Sequence, residues 1–106
     1  MSTQTHCLVE AAAAATVETT IYTSTGVRTV LDSISGYAAA AATLTLKLVP
    51  SGGSAGAGNV LAVKSFAAGE AYKFPELVGQ VLEPGDFISE IATGVVVRRI
   101  SGRQVT

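Results

Sequence analysis

The chain contains one histidine and one cysteine, His6 and Cys7, which are neighbours in the sequence. A structural zinc site needs about four such ligands, so this pair alone does not provide one. A cysteine nucleophile needs a separate base, and a serine triad needs an ordered histidine. The sequence therefore predicts no catalytic residue and no metal site, and Cys7 is interpreted as a small apolar residue at the start of the first strand.

A glycine-rich stretch, SGGSAGAGNV, occupies residues 51–60. A phosphate-binding loop has the pattern Gly-x-x-x-x-Gly-Lys-Ser/Thr and is followed by a helix. Gly53 and Gly58 have the glycine spacing, but Asn59 and Val60 stand at the lysine and hydroxyl positions. The dinucleotide-binding pattern fails as well, at its third glycine. We interpret the stretch as a connector between two strands and predict no bound cofactor.

Four acidic residues were considered as a carboxylate pair for acid–base chemistry: Asp32, Glu83, Asp86 and Glu90. Glu83 and Asp86 flank Pro-Gly, which is a strong turn signal, and aspartate in turns commonly accepts bonds from nearby backbone amides. A calcium site needs about six to eight oxygen ligands, and no acid-dense loop offers them. Turn structure is therefore the better interpretation of these acids.

The one local basic cluster consists of Arg98, Arg99 and Arg103, three of the seven lysines and arginines. Adjacent residues on a strand point to opposite faces, so Arg98 and Arg99 do not form one patch. Aromatic residues for base stacking do not interleave with them. We therefore expect no nucleic-acid partner and interpret the arginines as forming salt bridges across a subunit interface.

The aromatic residues are expected to supply core and interface anchors rather than a sugar-binding platform, since the chain has no tryptophan. They are Tyr22, Tyr37, Phe66, Tyr72, Phe74 and Phe87.

The composition bounds the class of protein. With 106 residues, 48% hydrophobic and 14% charged, the chain suits one folded domain. Its net charge of −1 creates no general attraction to nucleic acid or anionic membranes, and gives weak repulsion between copies, which favours a place inside an assembly. One cysteine excludes an internal disulfide. Apolar runs fall short of the ~20 residues that span a bilayer, and MSTQTHCLVE lacks signal-peptide features, so we expect synthesis in a cytoplasm and no membrane partner.

Alternation of apolar and polar residues predicts the elements that hold these side chains. In TLTLKLV, residues 43–49, Leu44, Leu46 and Leu48 alternate with polar residues, and Pro50 ends the strand. Similar segments lie at 19–23, 27–35, 60–66, 72–78, 87–91 and 95–100. The 72–78 segment contains Pro75 and is predicted as an edge or bulged strand. About eight short strands predict an all-β, single-domain antiparallel β-sandwich or jelly roll.

Two alanine runs, residues 11–15 and 38–42, compete with this interpretation because alanine favours helices. Threonines and a valine follow the first run, and alternating leucines follow the second, so both are predicted as extended or loop. Residues 1–18 are predicted as an N-terminal arm or a first strand, partly flexible, and residues 19–106 as the β-sandwich domain.

Three stretches of the chain resemble small all-β structural proteins of tailed bacteriophages and prophages. They are TIYT of residues 20–23 with Gly26 and Arg28, LTLKLVPSGGSAGAGN, and AAGEAYKFPELVGQVLEPGDFIS. The resemblance covers roughly residues 19–102, and departs from the family pattern at Gly36 and Tyr37. It implies a small sandwich or jelly roll in the virion and carries over no catalytic residues.

The resemblance and the residue patterns together predict a non-enzymatic virion structural protein. The leading expectation is a capsid decoration or cement protein, a homotrimer or other symmetric oligomer that binds the major capsid protein. The alternative is a tail, neck or fibre-associated component with a receptor- or glycan-binding face. Contact with the virion is expected from the segment up to Val17 and from the glycine-rich stretch.

Overall fold

A computed structural model describes residues 5–105, and that part of the chain contains nine β-strands and no α-helix. The predicted β-sandwich is confirmed. The strands are β1 (Thr5–Ala13), β2 (Thr19–Thr23), β3 (Arg28–Ala38), β4 (Ala42–Val49), β5 (Val60–Phe66), β6 (Glu70–Tyr72), β7 (Val81–Leu82), β8 (Phe87–Ala92) and β9 (Val97–Val105).

The strands form two antiparallel sheets in a jelly-roll order. The larger sheet runs β1-β9-β3-β6, with β7 following β6 along the same edge of β3, and the smaller sheet runs β2-β8-β4-β5. The pairs nest along the sequence: β4 with β5 innermost, then β3 with β6 and β7, then β2 with β8, and β1 with β9 outermost. The fold is thus one long hairpin wrapped into two layers, as in other jelly rolls.

The core lies between the two sheets and follows the alternation of the sequence. Leu44 and Leu46 of β4 are fully buried, and Leu48 packs partly buried against the same cluster. Opposite them, Leu31 and Ile34 of β3 are buried in the larger sheet. The leucine stripe therefore points inward as predicted, because residues two apart on a strand share one face.

The predicted strand over residues 72–78 is wrong beyond its first residue. The chain leaves β6 at Tyr72, Phe74 adopts a left-handed conformation with φ of 43°, and Pro75–Leu77 form a 3-10 turn before β7. Proline fixes its own φ and has no amide hydrogen for a strand ladder, so it suits the first position of a tight turn. Phe74 and Leu77 fill the core from this turn instead.

The alanine runs are extended or loop, as predicted. Residues 11–13 belong to β1, and residues 38 and 42 end β3 and begin β4. Within the predicted N-terminal arm, residues 5–13 form an edge strand of the larger sheet, while residues 1–4 lie outside the described part.

The outer strands of both sheets are irregular. The pairing of β1 with β9 shifts register twice. The pairing of β2 with β8 and that of β5 with β4 each shift register once. The fourth edge consists of two short strands, β6 and β7, separated by the 3-10 turn. Bulges and short strands at a sheet edge hinder pairing with another chain, so these edges are poor templates for a further strand.

Candidate functional site

The glycine-rich stretch joins two neighbouring antiparallel strands, β4 and β5. Gly53 donates its amide to the carbonyl of Pro50 at 2.9 Å, and the Asn59 side chain accepts the amide of Gly56 at 3.1 Å. The one helical turn in the stretch is Ala57–Asn59, which is three residues long. The hydrogen bonds of the stretch are therefore local, and it connects β4 to β5, which fits the connector interpretation.

His6 and Cys7 lie on β1, opposite Gly102 and Ser101 of β9. His6 is exposed, whereas Cys7 is half-buried, and its Sγ donates to the carbonyl of Val9 at 3.4 Å. A hydrogen bond with Cys7 raises the pKa of Arg99, the neighbouring guanidinium. Among residues 5–105, no three His, Cys, Asp or Glu side chains lie close enough together to hold a metal ion.

The acids of the EPGD turn have structural partners. Asp86 accepts the amide of Ser51 at 2.9 Å and that of Glu83 at 3.0 Å, and Gly85 adopts a φ of 93° that favours glycine. The Glu83 carboxylate accepts from Arg28 at 2.9 Å. These bonds confirm the turn interpretation of Glu83 and Asp86. It is wrong for Asp32 and Glu90, which lie on strands β3 and β8.

Glu90 and Arg98 form a bidentate ion pair between the two sheets, which sequence reasoning missed. The carboxylate of β8 accepts from Arg98 Nε at 2.7 Å and from Nη2 at 2.8 Å, and the two side chains are 0% and 9% exposed. Arg98 Nη1 also donates to the carbonyls of Glu10 and Ala12, at 3.1 and 3.3 Å. Glu90 Oε2 accepts the amide of Ala15 at 2.8 Å. We call these groups the ion-pair cluster.

The predicted salt bridge across a subunit interface is wrong for Arg98, which is buried within the chain, and stays a prediction for Arg99 and Arg103. Arg98 pairs with Glu90 inside the chain, and Arg103 donates to both oxygens of Asp32, at 3.0 and 3.1 Å. Arg99 is exposed on the outer face of β9, on the opposite face from Arg98 as expected. The alternation of residues along β8 could have predicted that Glu90 is buried. Glu90 lies two residues from Ile88 and two from Ala92, on the same inward face of the strand.

A second polar group lies between the sheets at the other end of the β3–β9 pair. Tyr22 and Thr29 hydroxyls are 3.0 Å apart, Thr29 and Ser24 hydroxyls are 2.7 Å apart, and the Gln104 side-chain amide donates to Tyr22 at 3.0 Å. Ser24 donates to the carbonyl of Val27. Because that bond uses the Ser24 hydrogen, Thr29 must donate to Ser24, and Tyr22 to Thr29. We call these side chains the hydroxyl cluster.

Every buried side-chain nitrogen or oxygen among the described residues has a hydrogen-bond partner. The polar side chains between the sheets bond to one another and to nearby backbone groups, and their arrangement is that of a structural network. No helix within residues 5–105 is long and apolar enough to cross a membrane.

The outer face of the larger sheet carries an exposed apolar patch. Tyr37 of β3 and Val97 of β9 are register partners, 46% and 40% exposed, and Ala11 and Ala71 lie beside them. Together they line a shallow depression of about 280 Å³, with Arg99 at its border. We call these four apolar residues the Tyr37 patch. It is a candidate surface for contact with another protein, because contiguous exposed apolar area commonly marks such contacts.

The predicted aromatic anchors divide between core and surface. Phe66 and Phe74 are buried with their ring centroids 6.1 Å apart, and Tyr72 packs edge-on against Phe74 at 4.9 Å. Tyr22 joins the hydroxyl cluster, Phe87 is half-buried, and Tyr37 is the exposed one.

Comparisons of this chain with protein-family models, with curated proteins and with solved structures find no significant match.

Proposed function

We propose that this chain is a non-enzymatic structural protein of a tailed-bacteriophage virion, and that it decorates or cements the assembled head. The observation that carries the proposal is the Tyr37 patch, an apolar area on the outer face of the larger sheet. An interior whose buried polar side-chain atoms all have partners, together with an exposed apolar face, suits a protein whose work is attachment. The location proposed is therefore the virion, after synthesis in the host cytoplasm.

The resemblance to small phage structural proteins supports the same proposal through the fold. Its stretches contain glycines that need positive φ in this structure, Gly52 at 80°, Gly69 at 77°, Gly79 at 88° and Gly85 at 93°. Residues of this kind determine turns rather than a binding site. Jelly rolls also occur among viral capsid domains, which adds support by fold analogy.

Self-association into a trimer or another closed ring is part of the proposal. The sheet edges are irregular, so contact through a face is favoured over continuous strand pairing. Each bound copy would span several capsid subunits and contact the major capsid protein. Contacts that exist only in the assembled shell shift the equilibrium toward that shell, which is how attachment alone stabilises it. No nucleic-acid or membrane partner is proposed.

The test adds purified protein to undecorated heads of the phage that encodes it. Copies bound per head are counted, and the heat and osmotic resistance of the heads is measured. The informative variant is Val97→Lys, which places a charge in the Tyr37 patch. Its matched control is Val63→Lys on β5, a 58% exposed valine on a strand of the other sheet.

We expect wild type and Val63→Lys to bind in many copies and to raise the resistance of the heads, and Val97→Lys to do neither. Binding of all three proteins alike would remove the Tyr37 patch from the proposal. Failure of the wild-type protein to bind heads, with a few copies found in tails or necks of mature virions, would replace decoration by the tail-associated alternative.

A further inference from the structure

Strand β1 closes the jelly roll and is attached to one strand. It lies at the edge of the larger sheet, and among residues 5–105 its ladder is with β9. Since the strand pairs nest along the chain, β1 with β9 is the outermost pair. Departure of β1 would therefore break no other strand pairing.

Few side chains of this strand are anchored in the core. Val9 is buried and Leu8 and Cys7 are partly buried, whereas His6, Glu10 and the alanines of the strand are exposed. The buried Ala14 follows the strand. The ladder is also interrupted, with register shifts between Cys7 and Val9 and again between Val9 and Ala12. Such a strand depends on bonds other than its own packing.

The ion-pair cluster supplies those bonds at the second interruption. Arg98 Nη1 reaches the carbonyls of Glu10 and Ala12, which flank the irregular part of the ladder. Glu90 Oε2 accepts the amide of Ala15 just after the strand. One buried ion pair thus fastens three backbone groups of the strand and its following loop to both sheets.

The chain also has a pivot next to this fastening. Thr16 and Val17 are exposed, with Val17 at 70%, whereas Glu18 is held by Lys47 and Ser89 of the smaller sheet. Thr16 and Val17 are therefore the link at which β1 can separate from β2. Release of β1 together with the residues before Thr16 also requires two backbone bonds to break, from the Ala14 amide to the Val96 carbonyl at 2.7 Å and from the Ala92 amide to the Ala15 carbonyl at 2.8 Å.

From these contacts we propose that β1 is an exchangeable strand. The ion-pair cluster latches it onto its own chain, and when the latch opens, β1 of a second copy takes the same place on β9. The occupant is a second copy because its β1 carries the same register shifts and the same carbonyls for Arg98, so the bonds lost in one copy are regained in the other. The inference stands independently of the proposed virion role.

The experiment uses Cys7, which faces Ser101 across the ladder. Opposite residues of antiparallel strands are roughly 4.5–5.5 Å apart at Cα, within disulfide range, so Ser101→Cys can trap β1 wherever it is docked. Isotope-labelled and unlabelled Ser101→Cys proteins are mixed at high concentration, incubated and oxidised with oxidised glutathione. Mass spectrometry of the linked peptides then counts linkages between a labelled and an unlabelled half.

We expect mixed linkages to accumulate with incubation time, and about tenfold faster or more when Arg98→Met opens the latch. The matched control is Arg103→Met, which removes another β9 arginine whose partner, Asp32, lies on β3. Should Arg98→Met not fold, Glu90→Met/Arg98→Met removes both charges and keeps the test. Cys7→Ser in the same background identifies linkages made by the introduced thiol alone.

Two results would overturn the inference. Linkages confined to matched isotopes, after long incubation and with the latch removed, would mean that β1 does not exchange. Equal acceleration by Arg98→Met and Arg103→Met would mean that general destabilisation, and not the latch, controls the strand.

Discussion

The ion-pair cluster and the hydroxyl cluster occupy opposite ends of the same interface between the sheets. Arg98 is the second residue of β9 and Gln104 is near its end, while Thr29 is the second residue of β3. Both clusters contain fully buried side chains, and every buried side-chain nitrogen or oxygen in them has a hydrogen-bond partner. They differ in charge: one holds a carboxylate against a guanidinium, and the other contains only hydroxyls and an amide.

That difference sets how each end responds to damage. A buried ion is stable only with its counter-charge, so loss of one member leaves the other unpaired in an apolar place. A neutral hydroxyl that loses its partner leaves a smaller desolvation cost. The ion-pair end is therefore the more fragile one, although its bonds between Glu90 and Arg98 are charge-assisted.

The largest effect is expected from Arg98→Met. It leaves the Glu90 carboxylate buried without its counter-charge, and we expect the free energy of unfolding to fall by about 3–5 kcal/mol, measured by urea denaturation. The double variant Glu90→Met/Arg98→Met leaves no unpaired ion and should recover part of this loss, although the Ala15 amide and the carbonyls of Glu10 and Ala12 lose their side-chain partners. A double variant as unstable as the single one would contradict the distinction between charged and neutral ends.

A smaller effect is expected at the other end from Thr29→Val, which keeps the shape and removes the hydroxyl between Ser24 and Tyr22. The free energy of unfolding should fall by about 1–3 kcal/mol, because buried hydroxyls lose a partner. Thr45→Val on the outer face of β4 is the control, where a change within about 0.5 kcal/mol is expected. A loss equal to that of Arg98→Met would show that charge is not what separates the ends.

The smallest effect concerns a charge pair outside the interface. Burial raises the pKa of Glu18, but hydrogen bonds from Lys47 and Ser89 outweigh it and hold the pKa below the ordinary 4.5. The carboxylate therefore stabilises the fold above its ordinary pKa, and this contribution is lost as pH falls through the lowered value.

Glu18→Gln should cost less than about 1 kcal/mol at neutral pH, since the pair is partly exposed, and should reduce the loss of stability on acidification. Urea denaturation at neutral pH and at about pH 3 measures this difference. If Glu18→Gln loses as much unfolding free energy on acidification as wild type, other carboxylates cause that loss.

The β-sandwich could be predicted from the sequence because the alternation of apolar and polar residues is visible within each strand. Alternation in TLTLKLV alone places Leu44 and Leu46 inside. The same alternation, applied to β8 and β9, puts Glu90 and Arg98 in inward-facing rows. Whether these two opposite charges meet depends on which strands face each other across the two sheets. That arrangement is set by long-range topology, which a pattern within one strand does not contain.

The hydroxyl cluster was beyond prediction for the same reason. Tyr22, Ser24 and Thr29 are close in sequence, yet Gln104 joins them from the far end of the chain. The strand prediction for residues 72–78 was wrong for a local reason. Phe74 and Leu77 are residue types common in strands, but Pro75 favours a tight turn. Neither pattern reports the positive φ of Phe74, whose side chain is fully buried.

The irregular borders of the two sheets also bear on how the protein survives crowding. A molecule with net charge −1 gains little from mutual repulsion at high concentration. Regular borders would then let copies add end to end into fibrils, each one templating the next. The register shifts in β1, β2 and β5 leave no regular edge strand on which a fibril could start. The irregular edges therefore oppose aggregation, to which the small net charge offers little resistance.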